Sequence, residues 1–302
     1  MDDWRSRPVL FLAFLAPGAL WLALFFLAPL AMVWLLAFGE KAGPVAIDIT
    51  WTLANYQAAL DPLYLKLFWK SFWIAALATA ACLVVAFPAA LLVSFASPRS
   101  KPLLLLLLVL PFWTNLLIRT YSLIAVLRGN GYLNDGLGLL WQVLRFLLTP
   151  VGLAGLAGDR FQPLELLYND AAVVLGVTYV YLPFMVLPLY ATLERLDRSL
   201  LEASLDLGAS QWRTFWSVTV PLAWPGIVSG VILVFIPALG TFLISDLLGG
   251  PDALLVGNVI ERQFKAANNL PLGAALSFLL LYATFAVLAA RAWHGARAAR
   301  LG

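Results

Sequence analysis

An all-α integral membrane protein with six transmembrane helices is the fold class predicted by this sequence, on three observations. Of its 302 residues, 63% are hydrophobic and only 12% charged, and the mean hydropathy is +0.91, so water cannot be the solvent for most of its surface. Six apolar stretches are long enough to cross about 30 Å of hydrocarbon. Lys and Arg are denser in alternate connections, as orientation in a bilayer requires.

The first stretch, Val9 to Phe38, follows Arg5 and Arg7 and superficially resembles a secretory signal. Signal cores run roughly 7 to 15 residues, so an uncleaved first span is expected, with Pro17 and Pro29 bending it or marking its ends. Five more follow: Ser71 to Ala96, Leu103 to Leu127, Ala171 to Leu193, Trp224 to Leu247 and Leu272 to Ala290. An even number puts both termini on one side. Placing them in the cytoplasm puts Arg5, Arg7, Arg99, Lys101, Arg195, Arg198, Arg213, Arg291, Arg297 and Arg300 in short inner segments. The much longer outer loops hold eight basic residues and nine carboxylates. The net charge of +3 therefore reflects orientation and calls for no nucleic-acid partner.

By this reading, residues 1–70 form the first span and first outer loop, 71–292 the core domain with an inner loop at 194–223, and 293–302 a cytoplasmic tail. Outer loops 39–70 and 128–170 are too long for plain connections, and short interfacial helices are expected in them. Trp51, Tyr56, Trp69, Trp73, Trp141 and Tyr168 fall near span boundaries, where amphipathic rings anchor at the headgroups.

The inner loop reads as a bent helical pair. Leu196, Leu200, Ala203 and Leu207 make an apolar stripe, with Arg198 and Glu202 one turn apart on another face. Gly208 suits a left-handed stop, Ser210 an N-cap for a second helix from Gln211, and Pro221 the end of that helix. From the residues alone, the pair is either a surface connection or a compact knob presented to the cytosol.

"EASLDLGASQWRTFWSVTVP" resembles the Glu-Ala-Ala loop of ABC importer permeases. That pattern is Glu-Ala-Ala, three residues, Gly, nine residues, then Ile-x-Leu-Pro. Glu202, Ala203, Gly208 and Pro221 match it at the same spacing, with Ser204 for the third alanine and Val218 and Val220 for Ile and Leu. The resemblance implies a type I importer permease (MetI-like) fold whose coupling helix seats on an ATPase subunit, through Glu202, Ala203, Ser204, Asp206, Gly208, Ala209 and Pro221. Further stretches, "LPFWTNLLIRTYSLIAVL" (110–127), "GYLND" (131–135), "VYLPFMVLPLYATLERLDRSLLEASLDLGAS" (180–210), "ISDLLGG" (244–250) and "LLVGNVIERQF" (254–264), are similar to permease subunits of spermidine/putrescine uptake systems. They span roughly residues 105 to 275. Ser245 and Asp246 resemble the spermidine-preferential branch; the putrescine branch is expected to carry Gly-Glu-Phe where this chain has Gly240, Thr241 and Phe242. The implied partners are an ATPase dimer holding ATP and Mg, a second permease, an external binding protein, membrane lipid and a small cationic solute.

A charge at mid-membrane costs roughly 2.5 to 3.5 kcal/mol on insertion scales, so each needs a reason. Asp246 follows Pro237, Gly240, Thr241 and Ser245, a small polar stripe at helical spacing, and could attract an ammonium group; alternatively it reaches outer headgroups or pairs with Arg119. Arg119, after Pro111, Trp113, Thr114 and Asn115, reads as structural, bonded to a carboxylate or to carbonyls freed by Pro111. Trp113, Tyr179 and Tyr181 offer aromatic faces to a cation, and Asn115 completes the substrate-path candidates. Gly226 and Gly230 form a GxxxG for close helix approach.

No G-x-x-x-x-G-K-[ST] occurs, so a P-loop cannot be built from this chain. One cysteine, Cys82, and one histidine, His294 in the basic tail, leave no metal site or histidine-based triad to propose. A gradient-driven transporter would want several buried carboxylates or inverted halves, an intramembrane enzyme a catalytic constellation, and neither pattern is present.

Overall fold

A computed structural model describes residues 8–43, 46–149 and 160–301. Arg5, Arg7 and residues 150–159 of the second long loop lie outside the described residues, as does the side chain of His294. The chain forms two compact units, Met1–Lys66 with Val259–Gly302, and Leu67–Asn258.

In the first unit, the helix Phe11–Leu36 is apolar and long enough to cross a membrane. Both prolines lie inside it rather than at its ends. A π-turn at Ala23–Leu27, closed by Ala28 N–H to Ala23 O, precedes Pro29 and accommodates its missing donor. An antiparallel hairpin pairs Gly39–Lys41 with Ile47–Ile49, with Gly39 opposite Ile49. This hairpin is a departure from the helices expected in the loop, although a short one does follow at Ala54–Ala59. Asn55 Nδ2 donates to Ala37 O (3.1 Å) and Gly39 O (2.7 Å), fixing that helix to the end of the span. Ala37 packs with Ala274 and Ala275, and Trp34 Nε1 donates to Tyr282 Oη at 2.8 Å. The final helix, Leu270–Leu301, has an apolar portion at Leu270–Ala286 and continues unbroken into the basic tail.

The second unit is built on three helices, Pro62–Phe95, Asp170–Leu193 and Gln211–Leu239, each with the length and apolarity of a span. Cys82, Ala86, Phe87 and Ala90 from the first meet Met185, Val186, Leu189 and Leu193 from the second and Ala223, Ile227 and Val234 from the third. Gly226 and Gly230 permit the closest approach. A Cβ on Gly226 would sit 2.6 Å from Thr192 Oγ1 and 2.9 Å from Pro188 O, and one on Gly230 would meet Met185 Sδ at 2.6 Å. The GxxxG face is therefore used within this chain, against the fourth span.

Two expected spans are broken. Leu103 to Leu127 is not one helix: Lys101–Trp113 and Leu116–Leu147 meet at 94°. Pro111 lacks an N–H, the backbone turns extended at Thr114, and Asn115 Oδ1 accepts Leu117 N–H at 2.8 Å to start the next helix. The fifth span does not run from Trp224 to Leu247. It begins at Gln211 and ends at Leu239, Gly240 being its C-cap, and a separate helix occupies Leu243–Leu248. Pro221 accordingly ends nothing; a π-turn at Phe215–Thr219 carries the helix through it. In the second long loop a helix is present at Tyr132–Leu148, amphipathic and rich in exposed apolar residues.

Candidate functional site

The polar segment between the fourth and fifth spans is assembled from local caps. Asp197 Oδ1 accepts Ser199 N–H at 3.0 Å and opens the helix Arg198–Asp206. That backbone bond, with a side-chain contribution from Ser199, holds the Asp197 carboxyl below the usual range. The helix stops where Gly208 takes φ +83°, a conformation that costs any residue with a Cβ. Gly208 N–H bonds Leu205 O and Ala209 N–H bonds Ser204 O, at 2.9 and 3.2 Å. Ser210 Oγ then accepts Arg213 N–H at 3.2 Å and starts the helix at Gln211. Across the bend, Ser204 Oγ and Thr214 Oγ1 lie 2.9 Å apart.

One side of the pair is anchored: Leu196 and Phe215 pack on the core of the three spans. The other side is open. Leu200, Ala203, Ser204, Leu207, Gly208, Ala209 and Arg213 line a groove of about 680 Å³ that continues to Pro221 and Leu222. Leu207 is 88% exposed and Trp212 70%. Glu202 and Asp206 are exposed, outside the residues lining the groove. Of the seven residues implied for ATPase coupling, Ala203, Ser204, Gly208, Ala209 and Pro221 therefore share one surface.

The base of the pair carries contacts that sequence reasoning missed. Arg198 Nη2 donates to Ser94 O (3.3 Å), and its guanidinium lies 5.0 Å from the centre of the Phe95 ring. Lys101 Nζ bonds both carboxylate oxygens of Glu194, at 2.6 and 2.8 Å. The partners are about a hundred positions apart in sequence, and no local pattern joins them.

The substrate-path candidates divide into two sets. Ser245 is buried and donates to Asn258 Oδ1 at 2.6 Å, while Asn258 Nδ2 donates to Phe242 O at 3.0 Å. Thr241 is buried, and its backbone N–H bonds Ala238 O at 3.3 Å. Asn115 is occupied as a cap. The Ser245 and Asn115 side chains hold the two breaks in place. Asp246, Trp113 and Tyr179 are exposed, on three different elements, with Trp113 at 72%. The expected stripe at Pro237, Gly240, Thr241 and Ser245 does not form, because the helix ends at Leu239.

Arg119 is only 8% exposed and sits 5.7 Å from the centre of the Phe112 ring. Among the described residues it has no ion-pair partner, and its Nε has no hydrogen bond. Among the described residues no hydrogen bond joins its side chain to a carbonyl freed by Pro111, and Pro111's own carbonyl is taken by Thr114 through both N–H (3.3 Å) and Oγ1 (2.7 Å).

A domain of packed and broken apolar helices, with a hinged polar pair on one connection, has the architecture of a membrane transport permease. The family model "binding-protein-dependent transport system inner membrane component" matches residues 3–299. The chain is 42% identical over 260 residues to the spermidine/putrescine transport system permease protein PotB of Escherichia coli (strain K12), covering 86% of this chain and 88% of that one. Two solved structures share the fold. A bacterial ABC transporter involved in import of the acidic polysaccharide alginate gives a TM-score of 0.68 at 18% identity, over 97% of this chain and 98% of that one. The bacterial alginate ABC transporter in complex with an alginate pentasaccharide-bound periplasmic protein gives 0.56 at 16%, over 95% and 94%. The chain belongs to the binding-protein-dependent inner membrane component family and has the MetI-like permease fold of ABC importers.

Proposed function

We propose that this chain is the permease subunit of an ATP-driven importer that moves polyamines (spermidine and putrescine) across the bacterial inner membrane by alternating access. Both termini face the cytoplasm, the chain carries no ATPase site and binds no cofactor, and ATP and Mg²⁺ are held by a partner ATPase dimer. A second permease completes the pathway, and an external binding protein delivers the solute. The observation that carries this reading is the capped pair from Arg198 to Gln211, whose apolar groove and left-handed Gly208 present a rigid knob. A knob of this kind lets ATP binding favour one of two packings of the bundle. The similarity to PotB supports the choice of solute. Asp246 is the carboxylate that would attract an ammonium group, with Trp113 and Tyr179 as aromatic contacts.

The test is reconstitution. The chain, with an ATPase, a second permease and a polyamine-loaded binding protein, is expected to carry spermidine into liposomes only with ATP. Uptake by this chain alone under an ion gradient would overturn the reading.

A further inference from the structure

We infer that Arg198 is the positioning residue through which the coupling helix grips the second span, a role that rests on the ATPase-docking function proposed above. The helix Pro62–Phe95 ends beside the coupling pair, and the last carbonyls of any helix have no intrahelical donors. One is satisfied locally, Val93 O by Ala96 N–H (3.2 Å). Ser94 O is taken by Arg198, the first residue of the helix Arg198–Asp206, whose guanidinium also covers the Phe95 ring. A cation there complements the negative end of the helix dipole. The coupling helix is in effect the C-cap of the second span.

The geometry requires arginine. A planar guanidinium stacks on a ring while donating in its own plane, and an ammonium does only one of these well. The neighbouring Lys101–Glu194 pair has a different role, joining the start of the next helix to the end of the fourth span. The coupling helix thus has two outlets: the continuous helix Gln211–Leu239 behind Gly208, and Arg198 in front. Displacing the helix through its groove pulls on the end of the second span through Arg198.

The test measures spermidine uptake and phosphate release together in liposomes holding the whole complex. Arg198→Ala is expected to retain its ATPase subunits and hydrolyse ATP, while uptake per ATP falls by about fivefold or more. Arg198→Lys should recover part of that loss, and Phe95→Leu, which spares the hydrogen bond, should fall between wild type and Arg198→Ala. An unchanged ratio in Arg198→Ala overturns the proposal, and so does loss of the ATPase from that variant, which would make Arg198 a docking contact instead. A wild-type complex that holds no ATPase contradicts the docking function itself, and the two failures are thereby distinguished.

Discussion

Ser204 Oγ lies 2.9 Å from Thr214 Oγ1, closing the bend between the two helices of the coupling pair. Ser204 stands where the Glu-Ala-Ala pattern has its third alanine, and the structure gives the extra hydroxyl a use. Ser204→Ala, which restores the common residue, removes one partly buried hydrogen bond worth about 1 kcal/mol. A fall of a few degrees in the melting temperature of the purified complex is expected, with ATP-driven uptake retained. Loss of uptake at unchanged stability would give Ser204 a role in docking.

Gly208 has open space around a hypothetical Cβ, so only its backbone conformation restricts substitution. A left-handed residue with a Cβ costs roughly 1–2 kcal/mol, and Asn tolerates it best. Uptake should decline in the order Gly, Asn, Ala, Val, Pro, with membrane insertion unaffected. Glu202→Lys, which reverses a charge on the exposed helix without touching the bend, should also abolish uptake. Equal activity for Gly208→Asn and Gly208→Val would contradict the hinge.

The two glycines of the fifth span differ in what they face. A methyl on Gly226 meets the backbone oxygen of Pro188 at 2.9 Å, whereas one on Gly230 meets the flexible end of Met185 first. Overpacking costs typically 1–3 kcal/mol, more where the neighbour cannot move. Gly226→Ala should therefore lower the melting temperature more than Gly230→Ala.

Asp246 and Ser245 are adjacent yet should fail differently. Asp246 is exposed, so Asp246→Asn should raise the KM for spermidine transport and leave stability alone. Ser245→Ala breaks the buried bond to Asn258 and should lower stability by about 1–3 kcal/mol, with little change in KM. Kinetics and thermal melts of both variants separate the two roles.

Asp197 sets the pH dependence of the coupling helix. Its carboxyl is held below the ordinary value, first by the Ser199 backbone N–H, so the cap is fully present above about 3.9, the unfolded value, and is lost only as pH falls through the lower folded value. Hydrogen exchange of the Ser199 amide, corrected for intrinsic rate, should be the same at pH 5 and pH 8. Loss of protection between them would contradict the assignment.

The coupling pair was legible because its signals are short-range. Gly208 and Ser210 act on neighbours within three residues, and a linear reading finds them. The breaks in the third and fifth spans were not, although Pro111, Asn115 and Gly240 mark them. Hydropathy averages over a window, and an interruption of two or three residues in an apolar run barely lowers it. A continuous helix would put Thr241 and Ser245 on one stripe; the end at Leu239 separates them, and Ser245 bonds Asn258. Contacts such as Arg198 to Ser94 depend on how the spans pack, which no periodicity encodes.

The central claim is that the pair from Arg198 to Gln211 is gripped by an ATPase, and cysteine cross-linking tests it most directly. The single native cysteine, Cys82, is buried among the spans, so Ala203→Cys or Ala209→Cys supplies the one accessible thiol among the described residues. Treated with a short bifunctional reagent in inner-membrane vesicles, these variants should join the permease to the ATPase subunit, with a yield that changes when ATP is added. Cross-links to no ATPase, or labelling of these thiols only from the periplasmic side, would contradict the account.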